Sequence, residues 1–208
     1  SEGIFSMDGD QADANALQNL AQKHDAWLYL DDAHSLGLIG ENGQGSTSIN
    51  NHIDIVMATF GKAVATSGAF IACNEDLHDY LINFARHYIY STAMSPANAW
   101  ATKKSIEIIQ KEQWRRDHIV ELSNQLMGLL DNSIEIIASE SSIKAIIIGD
   151  ESKALTVSEK LKKQGIWLTA IRPPTVAPGT SRLRVTICSN HNSNDINHLA
   201  SCLNEALI

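Results

Sequence analysis

Four polar side chains follow two strand-like segments of the sequence at matching distances. One apolar run ends at Asp31, and His34 lies three residues further on. A second apolar run ends at Thr59, and Lys62 lies three residues beyond it. Ligands of parallel sheets bind beyond the carboxyl ends of the strands. We therefore expect Asp31, His34, Thr59 and Lys62 to meet at one edge of a sheet.

Small residues surround Lys62, in the segment TFGKAVATSG that runs from 59 to 68. Gly61, Ala63 and Gly68 would let a bulky group approach the backbone closely. We expect Lys62 to be partly buried, since burial favours the neutral, nucleophilic amine. A lysine that caps a strand in an ordinary loop remains the plainer alternative.

The four side chains fit the chemistry of one cofactor. An aspartate can pair with a cationic ring nitrogen, a histidine can hydrogen-bond an oxyanion, and a lysine can form an imine with an aldehyde. Pyridoxal phosphate needs these groups, because it withdraws electrons well only while its pyridine nitrogen stays protonated. Taken singly, an aspartate such as Asp31 is more often a cap or ion-pair member, and a histidine such as His34 is more often a loop histidine. The ordered set of four favours a pyridoxal phosphate site.

Strands alternate with helices in the first half, which predicts a mostly parallel sheet with helices on both faces. The second half predicts a smaller α+β unit. We expect domains over residues 1–110 and 111–208. The predicted helices cover residues 12–23, 75–88, 96–111, 114–130, 152–164 and 194–207, and the predicted strands cover residues 3–7, 26–30, 53–58, 69–73, 134–138, 145–148, 166–170 and 182–188.

Composition excludes several classes of function. A net charge of −8 with no basic cluster argues against nucleic-acid binding, and no apolar run is long enough to cross a membrane. The three cysteines lie far apart in apolar surroundings, so we expect buried thiols in a cytoplasmic protein. No metal-binding motif is present in the sequence.

Five segments resemble the α-oxoamine synthases, which are fold-type I pyridoxal phosphate enzymes. These enzymes condense an amino acid with an acyl thioester and release CO2. The resemblance spans essentially the whole chain and implies a large pyridoxal phosphate domain followed by a small C-terminal domain. The segments are FSMDGD (5–10), DDAHSLGLIGENGQGS (31–46), TFGKAVATSG (59–68), ARHYIYST (85–92) and IRPPTVAPGTSRLRVT (171–186).

The resemblance implies a role for each residue around the cofactor. Lys62 would hold pyridoxal phosphate covalently and then act as acid and base at the substrate α-carbon. Asp31 would pair with the pyridine nitrogen. His34 and Ser6 would hydrogen-bond the region of the ring hydroxyl, and Thr59 would contact the phosphate.

The resemblance also implies substrate and partner contacts. Arg184 would bind the amino-acid carboxylate, for which its donor fork is well suited. Thr175 would line the acyl site, and the stretch 171–175 implies L-alanine and a pimeloyl thioester, carried on acyl carrier protein or coenzyme A. Ser91 and Thr92 would reach the cofactor phosphate of the partner subunit in a homodimer.

The family's glycine-rich turn and ring-stacking histidine have no counterpart in the chain, which begins at Ser1. We therefore expect a C-terminal portion that binds pyridoxal phosphate weakly or not at all by itself. Three alternatives stay open: a related synthase that uses glycine or serine with another thioester, a cofactor-free partner subunit, and an inactive remnant. The second would be expected to lack the lysine that is present at position 62.

Overall fold

A computed structural model describes residues 1–50 and 52–208. These residues form two compact units, one of Ser1–Ile4 with Ala12–Gln113 and one of Phe5–Gln11 with Trp114–Ile208. The segment from Phe5 to Gln11, which carries Ser6, thus groups with the C-terminal half of the chain. The expected domain boundary between residues 110 and 111 stays a prediction.

The sheet of the first unit contains β1 (Tyr29–Asp31), β2 (Ile55–Thr59) and β3 (Ala69–Ala72), in that order. Strands β1 and β2 are parallel, as predicted, whereas β3 runs antiparallel to β2. The connection after β2 is too short for a parallel return, which needs a dozen or more residues. The turn that carries Lys62 is therefore the connection of an antiparallel pair.

Four α-helices and one 3₁₀ helix complete the first unit. The single helix predicted over 75–88 is wrong, because the backbone is extended at Ala85 (φ −76°, ψ 96°). No glycine or proline marks this break, so the apolar periodicity of residues 75–88 predicts one continuous helix. The helices are α1 (Ala14–Lys23), α2 (Glu75–Phe84), α3 (Arg86–Ile89) and α4 (Pro96–Lys111), and the 3₁₀ helix is Gly45–Ser48.

The second unit is an antiparallel sheet with three helices. Its three strands are β4 (Ile143–Gly149), β5 (Thr169–Ile171) and β6 (Ser181–Thr186), and they pair in the order β4, β6, β5. Leucine and isoleucine side chains from both layers are fully buried, and each contributes about 1.5–3 kcal/mol relative to exposure. The helices are α5 (Trp114–Leu129), α6 (Glu151–Lys163) and α7 (Ser193–Leu207).

Two predicted strands are wrong. Isolated bridges occur near them, among them one between Glu2 and Asp31 and one between Ile136 and Ile146. In the first case the chain turns instead, since the Gly9 amide donates to the Phe5 carbonyl at 2.9 Å. A short turn leaves too few residues to extend a ladder.

The cysteines differ in exposure. Cys202 is buried and Cys73 is half-buried, but Cys188 is exposed, so the expectation of three buried thiols is wrong for Cys188. Strand β6 ends at Thr186, and Cys188 lies beyond it. Across the described residues, no helix combines the length and the apolar character needed to span a lipid bilayer.

Candidate active site

Asp31 and Thr59 leave the sheet at the same edge. In the parallel ladder Asp31 lies opposite Met57, and Thr59 ends β2 two residues later. The Asp32 amide donates to the Met57 carbonyl at 2.7 Å, which holds the two strand ends together. The predicted meeting of these two strand ends is therefore present within the first unit.

The Asp31 carboxylate has a fixed orientation. Its Oδ1 accepts a hydrogen bond from the Ala33 amide at 2.9 Å, which closes a turn directly after β1. The side chain is half-buried. Burial raises the pKa of the Tyr29 hydroxyl on the same strand, and the negative charge of Asp31 raises it further. Asp31 is thus an oriented anion at the sheet edge.

Asp32 anchors the loop that follows. Its side chain is 1% exposed and accepts hydrogen bonds from the Ser46 amide at 2.8 Å and the Ser46 hydroxyl at 2.6 Å. The half-buried His34 lies in the first turn of this loop, where the Ser35 amide donates to the Asp32 carbonyl. The Asp32 side chain thus ties the loop to the end of β1.

Lys62 lies in a tight turn between β2 and β3. The Phe60 amide donates to the Gly68 carbonyl at 2.8 Å, and the Ala65 amide donates to the Lys62 carbonyl at 2.9 Å. Among the described residues, none forms a hydrogen bond or ion pair with the Lys62 ammonium group. The turn therefore leaves this nitrogen available for another reaction partner.

The expected partial burial of Lys62 is wrong for this chain, because the Lys62 side chain is exposed. The turn directs Val64 inward, where it is 1% exposed, and residues 61–63 outward. A Cβ at Gly61 would lie 3.8 Å from the Thr66 carbonyl oxygen, whereas a Cβ at Gly68 would lie 2.5 Å from Met94 Cε, so the turn is open at Gly61 and closely packed at Gly68.

Ser6 and Arg184 are in contact within the second unit. Arg184 Nε donates to the Ser6 carbonyl oxygen at 2.6 Å, and Arg184 Nη1 donates to the Thr186 hydroxyl at 3.3 Å. The guanidinium is half-buried, and burial lowers its pKa. The contact uses the backbone of Ser6, so its hydroxyl stays without a described hydrogen bond.

The other three predicted residues lie in exposed turns. The Thr175 amide donates to the Arg172 carbonyl at 3.0 Å, directly after a cis peptide bond between Pro173 and Pro174. In the first unit, Ser91 donates from its hydroxyl to the His87 carbonyl, and Thr92 is exposed.

An ion pair that the sequence did not assign joins the buried Arg182 to the half-buried Asp8, which lies two residues beyond Ser6. Arg182 is 7% exposed and pairs with Asp8, while Arg182 Nε donates to the Thr180 carbonyl at 3.0 Å. The sequence signal was the first aspartate of FSMDGD and the first arginine of SRLRVT. Within the described residues, no group of three His, Cys, Asp or Glu side chains could bind a metal ion.

Comparison with known proteins identifies the family. The model of the family described as "Aminotransferase class I and II" matches residues 1–203. The 8-amino-7-oxononanoate synthase of Photobacterium profundum is 45% identical over 208 residues, which are 100% of this chain and 53% of that protein. The chain spans about half the length of the curated relatives it matches.

Two solved structures share the fold. A serine palmitoyltransferase from S. paucimobilis with a bound PLP–myriocin aldimine superposes with a TM-score of 0.92 at 28% identity, covering 99% of this chain and 53% of that one. An 8-amino-7-oxononanoate synthase from Francisella tularensis gives 0.83 at 27%, covering 98% and 61%. These matches confirm the predicted fold, that of the fold-type I pyridoxal phosphate enzymes. The chain belongs to the aminotransferase class I and II family.

Proposed function

We propose that the native protein containing this chain is an 8-amino-7-oxononanoate synthase of biotin synthesis. It would condense L-alanine with a pimeloyl thioester, on acyl carrier protein or coenzyme A, and release CO2, as a cytoplasmic homodimer with shared sites. The 45% identity to a protein of that name supports the choice. The observation that carries the proposal is the common edge of Asp31 and Thr59, with Lys62 in the next turn.

The residues at this edge fit pyridoxal phosphate. An oriented carboxylate (Asp31), an alcohol (Thr59) and an amine without a described partner (Lys62) are what a phosphorylated pyridine aldehyde requires. His34 lies in the turn directly after Asp31 and would contact the ring hydroxyl region. When bound, the cofactor supplies an electron sink for negative charge at the substrate α-carbon.

Each side chain then has one task. The Asp31 carboxylate keeps a proton on the pyridine nitrogen, which it can do because the Ala33 amide fixes its orientation. The Lys62 amine would hold the cofactor covalently through its aldehyde carbon. When free, the amine would take the proton from the substrate α-carbon and later return one to it.

Arg184 would fix the amino-acid substrate. Its Nε and Nη1 atoms are already bonded to Ser6 and Thr186, and its Nη2 has no described partner. A held guanidinium loses little further side-chain entropy when it binds a carboxylate. The carboxylate held by Arg184 is the group released as CO2 once the acyl group has been added, and Thr175 would line the path of the acyl chain.

The test uses the longest native polypeptide that contains these 208 residues. After incubation with pyridoxal phosphate and borohydride, we expect a stable label on the Lys62 peptide, located by mass. With L-alanine and pimeloyl coenzyme A, we expect CO2 and a product of the mass of 8-amino-7-oxononanoate. A Lys62→Arg variant should lose both signals, whereas Lys23→Arg, at an exposed lysine of α1, should keep both. Label elsewhere, or none, would contradict the proposal.

A second candidate is a related condensation with serine or glycine. The higher TM-score to serine palmitoyltransferase, 0.92 against 0.83, is the observation that favours it. Parallel turnover of alanine, serine and glycine with pimeloyl and palmitoyl thioesters separates the two. Preferred use of serine with the longer thioester would replace the first proposal.

A further inference from the structure

Helix α4 presents one polar face to the turn that carries Lys62. This α4 polar face consists of Asn98, Thr102 and Ser105, whose spacing places them on one side of a helix. Thr102 is 6% exposed and the other two are half-buried, while most of their neighbours along α4 are exposed. A helix that only covered a sheet would turn apolar residues inward at these positions.

Two of these side chains bond adjacent residues of the turn. Asn98 Nδ2 donates to the Ser67 carbonyl at 2.7 Å, and Asn98 Oδ1 accepts from the Ser67 amide at 3.3 Å. The Thr102 and Thr66 hydroxyl oxygens are 2.7 Å apart. Asn98 thus satisfies both backbone groups of one turn residue, as a neighbouring strand would.

The third side chain fixes the middle of the turn. Ser105 donates from its hydroxyl to the Val64 carbonyl at 2.5 Å. The next residue, Ala65, has φ +56°, and its amide donates to the Lys62 carbonyl at 2.9 Å. A non-glycine residue in this left-handed region is strained and persists where its surroundings hold it. The bond from Ser105 supplies such a constraint.

We propose that the α4 polar face positions the amine of Lys62 for its reaction with pyridoxal phosphate. This inference rests on the proposed function, in which Lys62 is the reacting residue. Asn98, Thr102 and Ser105 are positioning residues, because each holds the turn and none of them bonds to Lys62 itself. Displacing a reacting group by about 1 Å can cost about a hundredfold in rate.

The test compares four variants of the longest native polypeptide containing this chain. Thr102→Val removes the hydroxyl at nearly constant shape, and Thr102→Ser restores it. Asn98→Ala removes the two hydrogen bonds between the Asn98 side chain and the backbone of Ser67. Gln110→Ala is the matched control, since Gln110 is exposed on the same helix. The readouts are the rate of borohydride-trapped labelling at Lys62, thermal unfolding, and hydrogen exchange of the amides in residues 63–68.

We expect Thr102→Val and Asn98→Ala to label Lys62 about tenfold more slowly, with faster exchange in the turn. Thr102→Ser and Gln110→Ala should match the unchanged protein. Equal labelling rates in all variants, or a loss that Thr102→Ser does not rescue, would overturn the inference. If Thr102→Val does not fold, Asn98→Ala decides alone. A labelling rate equal to that of the unchanged protein would then overturn the inference.

Failure of the proposed function gives a different pattern. In that case the unchanged protein is not labelled at Lys62, and the exchange rates decide about the α4 polar face. Faster exchange in residues 63–68 of Asn98→Ala but not of Gln110→Ala would support its hold on the turn. Unchanged exchange in both would overturn that hold as well.

Discussion

Arg184 donates from Nε to the backbone oxygen of Ser6, at 2.6 Å and across 178 positions of the chain. The bond fixes one side of the guanidinium fork, and the Thr186 hydroxyl accepts from Nη1. Two residues that the sequence associated with one site are thus neighbours in the second unit. The contact also gives the arginine a fixed direction before any substrate binds.

Replacing Arg184 by lysine should weaken binding of the amino acid. Lysine keeps the charge but cannot bond Ser6 and a carboxylate with one planar group. A charge-assisted hydrogen bond contributes about 1.5–3 kcal/mol, so we expect KM for the amino acid to rise about 10- to 100-fold. Steady-state kinetics of the native protein would measure it.

Arg172→Lys is the matched control for this change. Arg172 is exposed and pairs with Glu151 at 3.0 Å, a contact of the kind that contributes little. The KM of the Arg172→Lys variant for the amino acid should stay within about twofold of the value for the unchanged protein. Equal effects of the two substitutions would contradict a specific role for Arg184.

Asp8→Asn should destabilise the second unit, because it leaves the buried guanidinium of Arg182 without its carboxylate. Arg182 keeps its bonds to Thr180, so we expect a loss of about 1.5–3 kcal/mol in the free energy of unfolding. Urea unfolding followed by circular dichroism measures it. Glu151→Gln, which breaks an exposed pair, should cost under about 1 kcal/mol. A similar loss in both variants would argue against a stabilising role for the pair of Asp8 and Arg182.

Three glycines should respond differently to replacement by alanine. Gly45 has φ +76°, and a Cβ there would lie 2.0 Å from Asp32 Oδ2, so strain and overlap should together cost about 2–5 kcal/mol. Gly165 has φ +83° with open space around it, so only about 1–2 kcal/mol of strain is expected. Gly128 lies within α5, and a Cβ added there would have no neighbour within 4 Å. Alanine at this position should therefore stabilise the folded state by up to about 1 kcal/mol.

Urea unfolding of the three variants checks the order. Gly165→Ala serves as the control for backbone strain alone, and Gly128→Ala for helix propensity alone. If Gly45→Ala cost no more than Gly165→Ala, the close approach of Gly45 to Asp32 would not contribute to stability.

The positions of the strand ends were easier to predict from the sequence than the exposure of the side chains beyond them. Asp31 and Thr59 could be placed at one edge because neighbouring parallel strands have their carboxyl ends at the same edge of a sheet. The exposure of Lys62 could not be predicted, because it depends on which turn residue faces inward. Periodicity within a segment of small residues carries no such information.

Long-range contacts were also outside the reach of sequence patterns. The pairing of Asp8 with Arg182 spans 174 positions, and no spacing rule relates two residues so far apart. The break at Ala85 was missed because alanine favours helix and no glycine or proline marks the position. By contrast, the start of α4 was predictable from Ser95 and Pro96, which form a local cap.

Lys144 should make stability depend on pH at the alkaline end. It lies within β4, is 4% exposed, and donates to the carbonyls of Ser139 at 2.5 Å and Ser141 at 2.8 Å. Burial lowers its pKa from the ordinary value of 10.5, and the charge of Glu140 partly opposes this. The folded state therefore releases this proton at a lower pH than the unfolded state does.

Between the lowered pKa and 10.5, the unfolded state binds more protons at this site than the folded state, so its contribution to stability rises with pH. Each unit of lowering corresponds to about 1.4 kcal/mol. We expect the unchanged protein to gain stability relative to Lys144→Met as pH approaches 10.5, so its unfolding free energy minus that of the variant should rise. Urea unfolding at a series of pH values measures this difference. A difference that stays flat across the series would show that burial of Lys144 does not shift its titration.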